Sequence, residues 1–341
     1  MIDPRPGPAW LDEIPVRRLL EDDLEAWFPL PPGDRALVEP GNAVLAGDPL
    51  LEHLRDRRID EVEVATAETD RPVPGSRWAP AQGRRRRDRD AEGELLAPVP
   101  GRGNRWRLVA GEHRVNIASP VTGVVTGVRP GAEIRLRPDG RALRGALAAG
   151  SASRGRLELA TDPFGELRPG GIDVGRAGSI LVVGSRIDAE ALTRARAMGV
   201  RGIVVASLPG KELRDFRASE RRQLAALHPT PPFGVLVLEG ALRRPIPGPV
   251  AALLERFAGR EVALLVDPPA LILEGEDPMP IEADPAWVRI RSGPNAGAEG
   301  RLLGPAGLRR FEAGVHLEAA FVEIGGEDPL AVPIGDLERY A

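Results

Sequence analysis

Four short apolar runs between Gly178 and Pro268 decide the fold: Ser179-Ile-Leu-Val-Val-Gly184, Gly202-Ile-Val-Val-Ala206, Gly234-Val-Leu-Val-Leu238 and Glu261-Val-Ala-Leu-Leu-Val266. Each run is brief and rich in Val or Leu, which is typical of a buried β-strand. Amphipathic patterns typical of helices separate the runs. Because strands that are apolar on both faces need cover on both sides, the stretch predicts a parallel sheet between helices, with right-handed crossovers.

The ends of two of these helices can be predicted from single residues. The first helix should begin after Asp188, whose carboxylate can cap free backbone N–H groups, and end at Gly199, which can adopt a left-handed conformation. The last should end before Gly259. The residues predicted to face the core are Leu192, Ala195 and Met198 in the first helix and Val250, Leu253, Leu254 and Phe257 in the last.

Composition excludes several classes of chemistry. The 341 residues contain no cysteine, so disulfides, thiolate nucleophiles and Cys-ligated zinc are ruled out. Lys211 is the only lysine, so nearly all of the 46 basic residues are arginines, a bias that favours a GC-rich bacterial genome. A net charge of -4 argues against a protein whose main task is to bind a polyanion.

The sequence shows no membrane-spanning segment and no secretory signal. The N-terminus, Met1-Ile-Asp-Pro-Arg-Pro, lacks the basic and apolar regions of a signal peptide. No run approaches the roughly 18 apolar residues of a membrane helix. We therefore expect a cytoplasmic protein with no membrane partner.

Residues 1–30 carry apolar side chains among acids and arginines. This spacing predicts a short strand and an amphipathic helix that pack on the rest of the chain. A partner-binding helix is the alternative.

Two turn-rich stretches predict small β-strands. One runs from Pro31 to Leu51 and the other from Val115 to Ile134, each with apolar pairs separated by Pro-Gly or Gly-containing turns. They resemble the half-motifs of the biotinyl/lipoyl-like barrel-sandwich fold, with Val-Glu-Pro-Gly at Val38 and Ser-Pro-Val-Thr-Gly-Val-Val at Ser119. The resemblance covers about a quarter of the chain.

The carrier function of that family does not follow. Its carriers modify a lysine at a hairpin tip, and neither stretch contains a lysine. The resemblance therefore implies only the bare sandwich, which serves related proteins as a spacer or docking module.

A run of charges lies between the two stretches, in residues 79–93. It contains Arg84-Arg85-Arg86-Arg87 followed by Asp88-Arg89-Asp90. Like charges at this density oppose collapse, so a mobile solvated loop is predicted. Contact of Arg84, Arg85, Arg86 and Arg87 with a nucleic acid is the alternative.

A motif near the C-terminus follows a linker rich in acids and proline at 274–285. The motif runs from Trp287 to Leu303, with Val288, Ile290, Gly293, Pro294, Gly297, Gly300 and Leu302 at its marked positions. It resembles a KOW motif, the hairpin of SH3-like barrels in NusG-type transcription factors. Further strands are predicted at Glu318–Ile324 and Leu330–Ile334, with residues 337–340 closing the barrel.

The resemblance implies contact with RNA or protein rather than chemistry. Residues 281–341 hold ten carboxylates and six arginines. An acidic barrel suits a protein partner or packing within the chain better than it suits RNA.

The predicted organisation is that of a multidomain α/β plus all-β protein. A packing arm (1–30) precedes a β-rich barrel-sandwich-like domain (31–176). A Rossmann-like parallel α/β domain (177–273) follows, then the linker (274–285) and a KOW/SH3-like small barrel (286–341).

Ligands of open parallel sheets bind beyond the carboxyl ends of the strands. The residues predicted at those ends are Ser185, Arg186, Ser207, Glu239, Gly240 and Asp267. Ser185 precedes a helix N-terminus and could help to hold an anion, with a plain helix cap as the alternative.

No established catalytic signature accompanies these residues. The chain has no P-loop, no dinucleotide fingerprint, no G-x-S-x-G elbow and no paired histidines at helical spacing. The sequence thus assigns no catalytic residue, no metal ligand and no cofactor.

These observations favour a binding or scaffold protein that acts through protein contacts. Two alternatives stay open: a nucleic-acid-associated protein of the KOW type, and an enzyme or small-ligand binder that uses the strand-end crevice.

Overall fold

The computed structural model describes residues 9–55, 59–64, 73–78, 93–110, 113–224, 231–275, 284, 286–312, 314–326 and 328–341. This part of the chain is rich in strands, with three α-helices and several sheets. No helix within it is long and apolar enough to span a membrane.

The elements are numbered in chain order. The α-helices are α1 Ala189–Ala197, α2 Gly210–Leu224 and α3 Gly248–Phe257. The strands are β1 Val16–Arg17, β2 Ala26–Pro29, β3 Arg35–Ala36, β4 Ala43–Val44, β5 Pro49–Arg55, β6 Ile59–Glu63, β7 Arg77–Trp78, β8 Gly93–Pro98, β9 Arg105–Ala110, β10 His113–Ala118, β11 Gly123–Arg129, β12 Glu133–Pro138, β13 Arg141–Arg144, β14 Leu147–Gly150, β15 Ser153–Leu159, β16 Glu166–Leu167, β17 Ser179–Ile187, β18 Gly202–Ser207, β19 Gly234–Gly240, β20 Glu261–Leu265, β21 Ala270–Leu273, β22 Trp287–Ile290, β23 Glu299–Arg310, β24 His316–Glu323, β25 Leu330–Pro333 and β26 Leu337–Tyr340.

The chain divides into two compact units. The first contains the described residues of 1–26, 138–219 and 231–341, and the second those of 27–137 and 220–230. This division differs from the predicted boundary at 176, because β13, β14, β15 and β16 belong to the central sheet of the first unit.

That central sheet has nine strands in the order β13-β21-β20-β15-β17-β18-β19-β14, with β16 also paired to β17. As predicted, β17, β18 and β19 are parallel, and β15 joins them in the same direction. The two ends of this order, β13 and β14, are consecutive in the chain. The backbone N–H of Gly145 donates to the Pro269 carbonyl, and that of Ala146 donates to the Val237 carbonyl. One segment thus joins both ends of the strand order.

The prediction that the fourth apolar run forms a parallel strand is wrong. The strand β20 pairs with β15 and runs antiparallel to it, with Ser153 opposite Leu264. A tight turn that includes the cis bond between Asp267 and Pro268 then leads into β21, which is antiparallel to β20. An apolar run does not by itself indicate whether its strand is parallel or antiparallel to its neighbours. Strand β15, which pairs with β17, carries charged residues at alternating positions, so the sequence does not mark it as a core strand.

Helices cover both faces of the sheet. As predicted, the Asp188 carboxylate accepts from the Ala191 N–H at 2.7 Å, and Gly199 has a φ of 83°. Leu192 and Ala195 are buried against one face together with Phe216 of α2. The other face packs against α3 through Val250, Leu253, Leu254 and Phe257. Each fully buried side chain of this size contributes about 1.5–3 kcal/mol.

The second unit brings the two predicted turn-rich stretches together. Its sheets have the orders β10-β5-β3, β2-β12-β11-β4 and β6-β9-β8-β7. Strand β4 pairs with β11 and strand β5 with β10, and the N–H of Gly47 donates to the Ser119 carbonyl at 2.8 Å. The third sheet has its own core around Trp106 and Leu108. Residues 79–92, and with them Arg84, Arg85, Arg86 and Arg87, lie outside the described residues.

The C-terminal strands and β1 together form a six-stranded sheet, here called the C-terminal sheet, with the order β1-β26-β22-β23-β24-β25. Strands β24, β25 and β26 lie where the sequence predicts them. A Cβ on Gly300 would lie 2.2 Å from the Glu323 carbonyl oxygen, which explains the glycine at this motif position. Val288, Ile290, Val322 and Leu337 are buried between the strands, and Ile14 joins them.

The amphipathic helix predicted within residues 1–30 is wrong. The described part of this segment contains a 3-10 helix at Ala9–Glu13 and the strands β1 and β2. The N–H of Leu19 donates to the Ala341 carbonyl and that of Glu21 to the Ala142 carbonyl, so partners far along the chain hold the backbone extended. The predicted packing is confirmed, because Ile14, Leu19 and Leu24 are buried.

Candidate functional site

The carboxyl ends of β17, β18 and β19 bring five of the predicted residues to one edge. Arg186 is paired with Ser207, and Ser207 with Gly240, in adjacent strands. Ser185 directly precedes Arg186, and Glu239 directly precedes Gly240. Asp267 is not among them, because the antiparallel β20 carries it toward the opposite end of the sheet.

Both serines at this edge hold the backbone of neighbouring segments. The Ser185 hydroxyl donates to the Phe164 carbonyl at 2.8 Å, and the Ser207 hydroxyl donates to the Ser185 carbonyl at 2.6 Å. The Ser207 oxygen also accepts from the Arg244 N–H at 3.3 Å. Both side chains are buried. A hydroxyl whose proton is donated to a backbone carbonyl is placed for structure rather than for nucleophilic attack.

Gly240 shapes the chain where β19 ends. Its φ of 105° is unfavourable for a residue with a Cβ, and its carbonyl accepts from the Leu208 N–H at 3.0 Å. The segment that follows is linked to strand β16 by an ion pair of 2.6 Å between Arg243 and Glu166. Arg186 is half-buried in this region.

Glu239 is the centre of a buried ion cluster. Its Oε1 lies 2.7 Å from Nη1 of Arg17, which comes from β1, and its Oε2 lies 2.5 Å from Nη1 of Arg289, which comes from β22. The side chains of Glu239 and Arg289 are 5% and 1% exposed. The carboxylate predicted to meet a ligand is therefore bound by two guanidinium groups of the C-terminal sheet.

Further polar groups surround Arg289. Its Nη1 is 3.4 Å from Oε1 of Glu338, and its Nη2 donates to the Pro245 carbonyl at 3.4 Å. The Tyr340 hydroxyl donates to Glu338 at 3.4 Å. A buried guanidinium with this many acceptors fixes the orientation of the strands that carry it.

Glu299 joins the same cluster from β23 and caps α3. The Gly248 N–H, at the start of that helix, donates to both carboxylate oxygens at 2.9 and 3.0 Å. Pro247 supplies no side-chain cap, so a carboxylate from the C-terminal sheet takes that role. It also lies at the positive end of the helix dipole. Oε1 of Glu299 is 3.8 Å from Nε of Arg289.

The charges of the cluster perturb its titration. Burial raises the pKa of Glu299, and hydrogen bonding from Gly248 and attraction to Arg289 only partly offset this. Burial also raises the pKa of Tyr340 well above its ordinary value. For Arg17 and Arg289, burial is the largest cause and acts to lower the pKa, but attraction to Glu239 and Tyr340 and the hydrogen bond to Glu239 together outweigh it, so the pKa is raised. Both arginines stay charged.

Sequence reasoning identified Glu239 but missed its partners. Arg289 lies between the buried Val288 and Ile290, so a charge in a core strand was the available signal. Nothing local links it to Arg17 or Glu239, which are far away in sequence. Among the described residues, no group of three or more His, Asp or Glu side chains is arranged to hold a metal ion.

A second candidate is the part of the β23–β24 hairpin that extends past its neighbours, here called the hairpin arm (the described residues 303–312 and 314–317). Among the residues that the structure describes, β22 pairs with β23 only as far as Arg301, and β25 pairs with β24 only from Ala319. The arm exposes large apolar side chains: Leu303 at 51%, Leu308 at 62%, Val315 at 49% and Leu317 at 41%.

The register divides the side chains of the arm between two faces. Arg309 is opposite Leu317, so these two share one face with Val315. The Arg309 guanidinium lies 5.5 Å from the centre of the Phe321 ring. Leu308 and Arg310 lie on the other face, opposite Glu318 and His316.

No protein-family model matches the chain. No curated protein matches it significantly.

Proposed function

We propose that this chain is a multidomain binding or scaffold protein that acts through protein contacts, with the hairpin arm as its contact surface. The proposal includes a barrel-sandwich-like second unit, a Rossmann-like α/β domain and a KOW/SH3-like C-terminal barrel. The observation that carries it is the exposure of Leu308, Val315 and Leu317 beyond the paired part of the sheet.

The composition of the arm supports this choice. Arginine is enriched among the residues that dominate binding energy in protein interfaces, and exposed apolar side chains around it add area that a partner can bury. Leu308, Leu317 and Arg309 are exposed, and Arg309 stacks on Phe321. A protruding hairpin of this kind can enter a concave partner surface.

The strand-end crevice gives less support to the enzyme alternative. The hydroxyls of Ser185 and Ser207 are bonded to backbone, and Glu239 is paired with two arginines. A ligand there would have to displace contacts that hold the C-terminal sheet. The nucleic-acid alternative is also less well supported, because residues 281–341 hold ten carboxylates and six arginines, and this excess of negative charge repels a polyanion.

The test is affinity capture of the tagged chain from lysate of its source organism, with and without nuclease. The test variant is Leu308→Glu/Leu317→Glu. Its matched control is Leu45→Glu/Leu242→Glu, which changes two other exposed leucines, at 64% and 68% exposure, in the same way.

We expect a defined protein that survives nuclease, is retained by the control variant and is lost from the hairpin variant. Equal capture by both variants would reject the arm as the contact surface. Recovery of nuclease-sensitive material alone would favour the nucleic-acid function.

A further inference from the structure

The hairpin arm also offers unpaired backbone groups. Among the described residues, no strand pairs with the side of residues 303–310 that faces away from β24. An exposed strand edge is a template for a further strand from another chain. The question is which part of this edge can accept one.

The register identifies the available groups. The Phe311 N–H donates to the Val315 carbonyl, so Phe311 directs its backbone toward β24. Since the backbone direction alternates along an antiparallel strand, Arg309 also points toward β24, whereas Leu308 and Arg310 point away. The outward edge therefore presents the N–H and C=O groups of Leu308 and Arg310.

The base of the arm is less suited to pairing. The register shifts between Leu302 and Gly304 and again between Pro305 and Gly307. Such bulges interrupt a ladder, and proline has no N–H to donate. Gly307 itself has a φ of 68°, so the regular part of the edge is confined to residues 308–310.

The charge along this edge is of one sign. From Gly300 to Phe311 the chain carries Arg301, Arg309 and Arg310 and no carboxylate. Neither Arg301 nor Arg310 forms an ion pair with a carboxylate of the described residues. A strand added beyond the part of β23 that pairs with β22 would place its side chains beside Arg309, Arg310 and the exposed Leu308.

We infer that the edge of β23 binds an extended, acidic and apolar segment of a partner protein by strand addition. In an antiparallel arrangement, an acidic residue of that segment faces Arg310, and an apolar residue two positions later faces Leu308. This inference rests on the proposed function and specifies its partner. A nucleic acid fits less well, because three arginines on an otherwise acidic region provide little charge for a polyanion.

The probe is a phage-displayed library of random twelve-residue peptides, selected on the immobilised full chain. We expect the enriched peptides to contain an acidic residue followed two positions later by an apolar one. A synthetic enriched peptide should slow hydrogen exchange at the Leu308 and Arg310 amides, with little change at Arg309, which is already bonded within the hairpin.

Variants separate charge from backbone pairing. Arg310→Glu should weaken the peptide about tenfold, while the matched reversal Arg217→Glu, at an exposed position of α2, should leave binding within twofold. Leu308→Pro removes an outward N–H without removing one that faces β24, and should abolish binding while circular dichroism stays unchanged.

Three results would overturn the inference: enrichment of no peptide or of peptides without acids, unchanged exchange at Leu308 and Arg310, or tighter and steeply salt-dependent binding of a twenty-nucleotide polyuridine RNA. The first two results do not affect the outcome of the capture experiment. Strand addition can therefore be rejected while the proposed protein-contact function is retained. Capture lost equally in both leucine variants would instead count against the function itself.

Discussion

Replacing Arg289 by methionine should be among the most destabilising single changes in the first unit. Methionine keeps much of the side-chain volume but leaves Glu239 with Arg17 alone, and leaves Glu338 and Glu299 without their nearest cation. Breaking a buried ion pair by removing one partner typically costs about 3–5 kcal/mol. The side chain of Arg289 is 1% exposed, so solvent offers little compensation.

The cluster also predicts how variants combine. With all groups ionised, Arg17 and Arg289 face three carboxylates. Arg289→Met adds to the negative excess, whereas Glu239→Gln removes it and should be less harmful. The double variant should be less destabilised than the sum of the two single ones, by about 0.5–3 kcal/mol, because the lost interaction is counted once.

Urea unfolding measures the free energy of unfolding of each variant. Hydrogen exchange at the backbone amides of β19, β22 and β26 serves as the readout, because these strands belong to the unit that holds the cluster. The matched control is Arg243→Met, which breaks the exposed pair with Glu166 and should cost no more than about 1 kcal/mol. If Arg289→Met costs no more than that control, the cluster does not hold the C-terminal sheet in place.

Three further predictions concern titration and packing. Burial raises the pKa of Glu299 above 4.5, so the folded state holds this proton more tightly than the unfolded state. The resulting stabilisation is complete below pH 4.5 and is lost as pH rises through the folded pKa. The stability advantage of the wild type over Glu299→Gln should therefore shrink from pH 4 to pH 7 in urea titrations, and a constant difference would contradict the assignment. Tyr340 is the only tyrosine, and burial raises its pKa above 10.0. Alkaline titration of tyrosinate absorbance should therefore show Tyr340 still protonated at pH 10 in the folded chain. Titration at the ordinary value would instead mean that the side chain is exposed to solvent. Gly300→Ala should destabilise by about 1–3 kcal/mol because its Cβ meets the Glu323 carbonyl, whereas Gly335→Ala, with open space around it, should lower the midpoint of thermal unfolding far less; equal shifts would argue against the steric reason.

Local patterns sufficed to predict the centre of the sheet. β17, β18 and β19 are apolar on both faces, and the cap and the terminating glycine of α1 each act within a few residues of one helix end. Features of this kind depend on short-range physics, which one sequence contains. The strand positions of the C-terminal sheet were predictable for the same reason, since their glycines and apolar residues alternate locally.

Long-range pairing could not be predicted in the same way. Strand β15 carries Arg154, Arg156 and Glu158 and does not look like a core strand, yet it separates β17 from β20. The direction of β20 depends on that neighbour. The link of Arg17 and Arg289 to Glu239 joins three distant segments, and each arginine alone is compatible with a solvated surface.

The pairing of β1 with β26 gives the fold a long delay during synthesis. Val16 is opposite Arg339, about 320 residues later, so β1 leaves the ribosome long before its partner exists. At roughly 5–20 residues per second, that interval is about 15–65 seconds. For most of that interval, Ile14 lacks the core and Arg17 lacks the Glu239 carboxylate with which they pack in the folded protein. The nascent chain should accordingly depend on whatever shields an apolar N-terminal segment in the cell, and slow translation of the last third should lower the yield of folded protein.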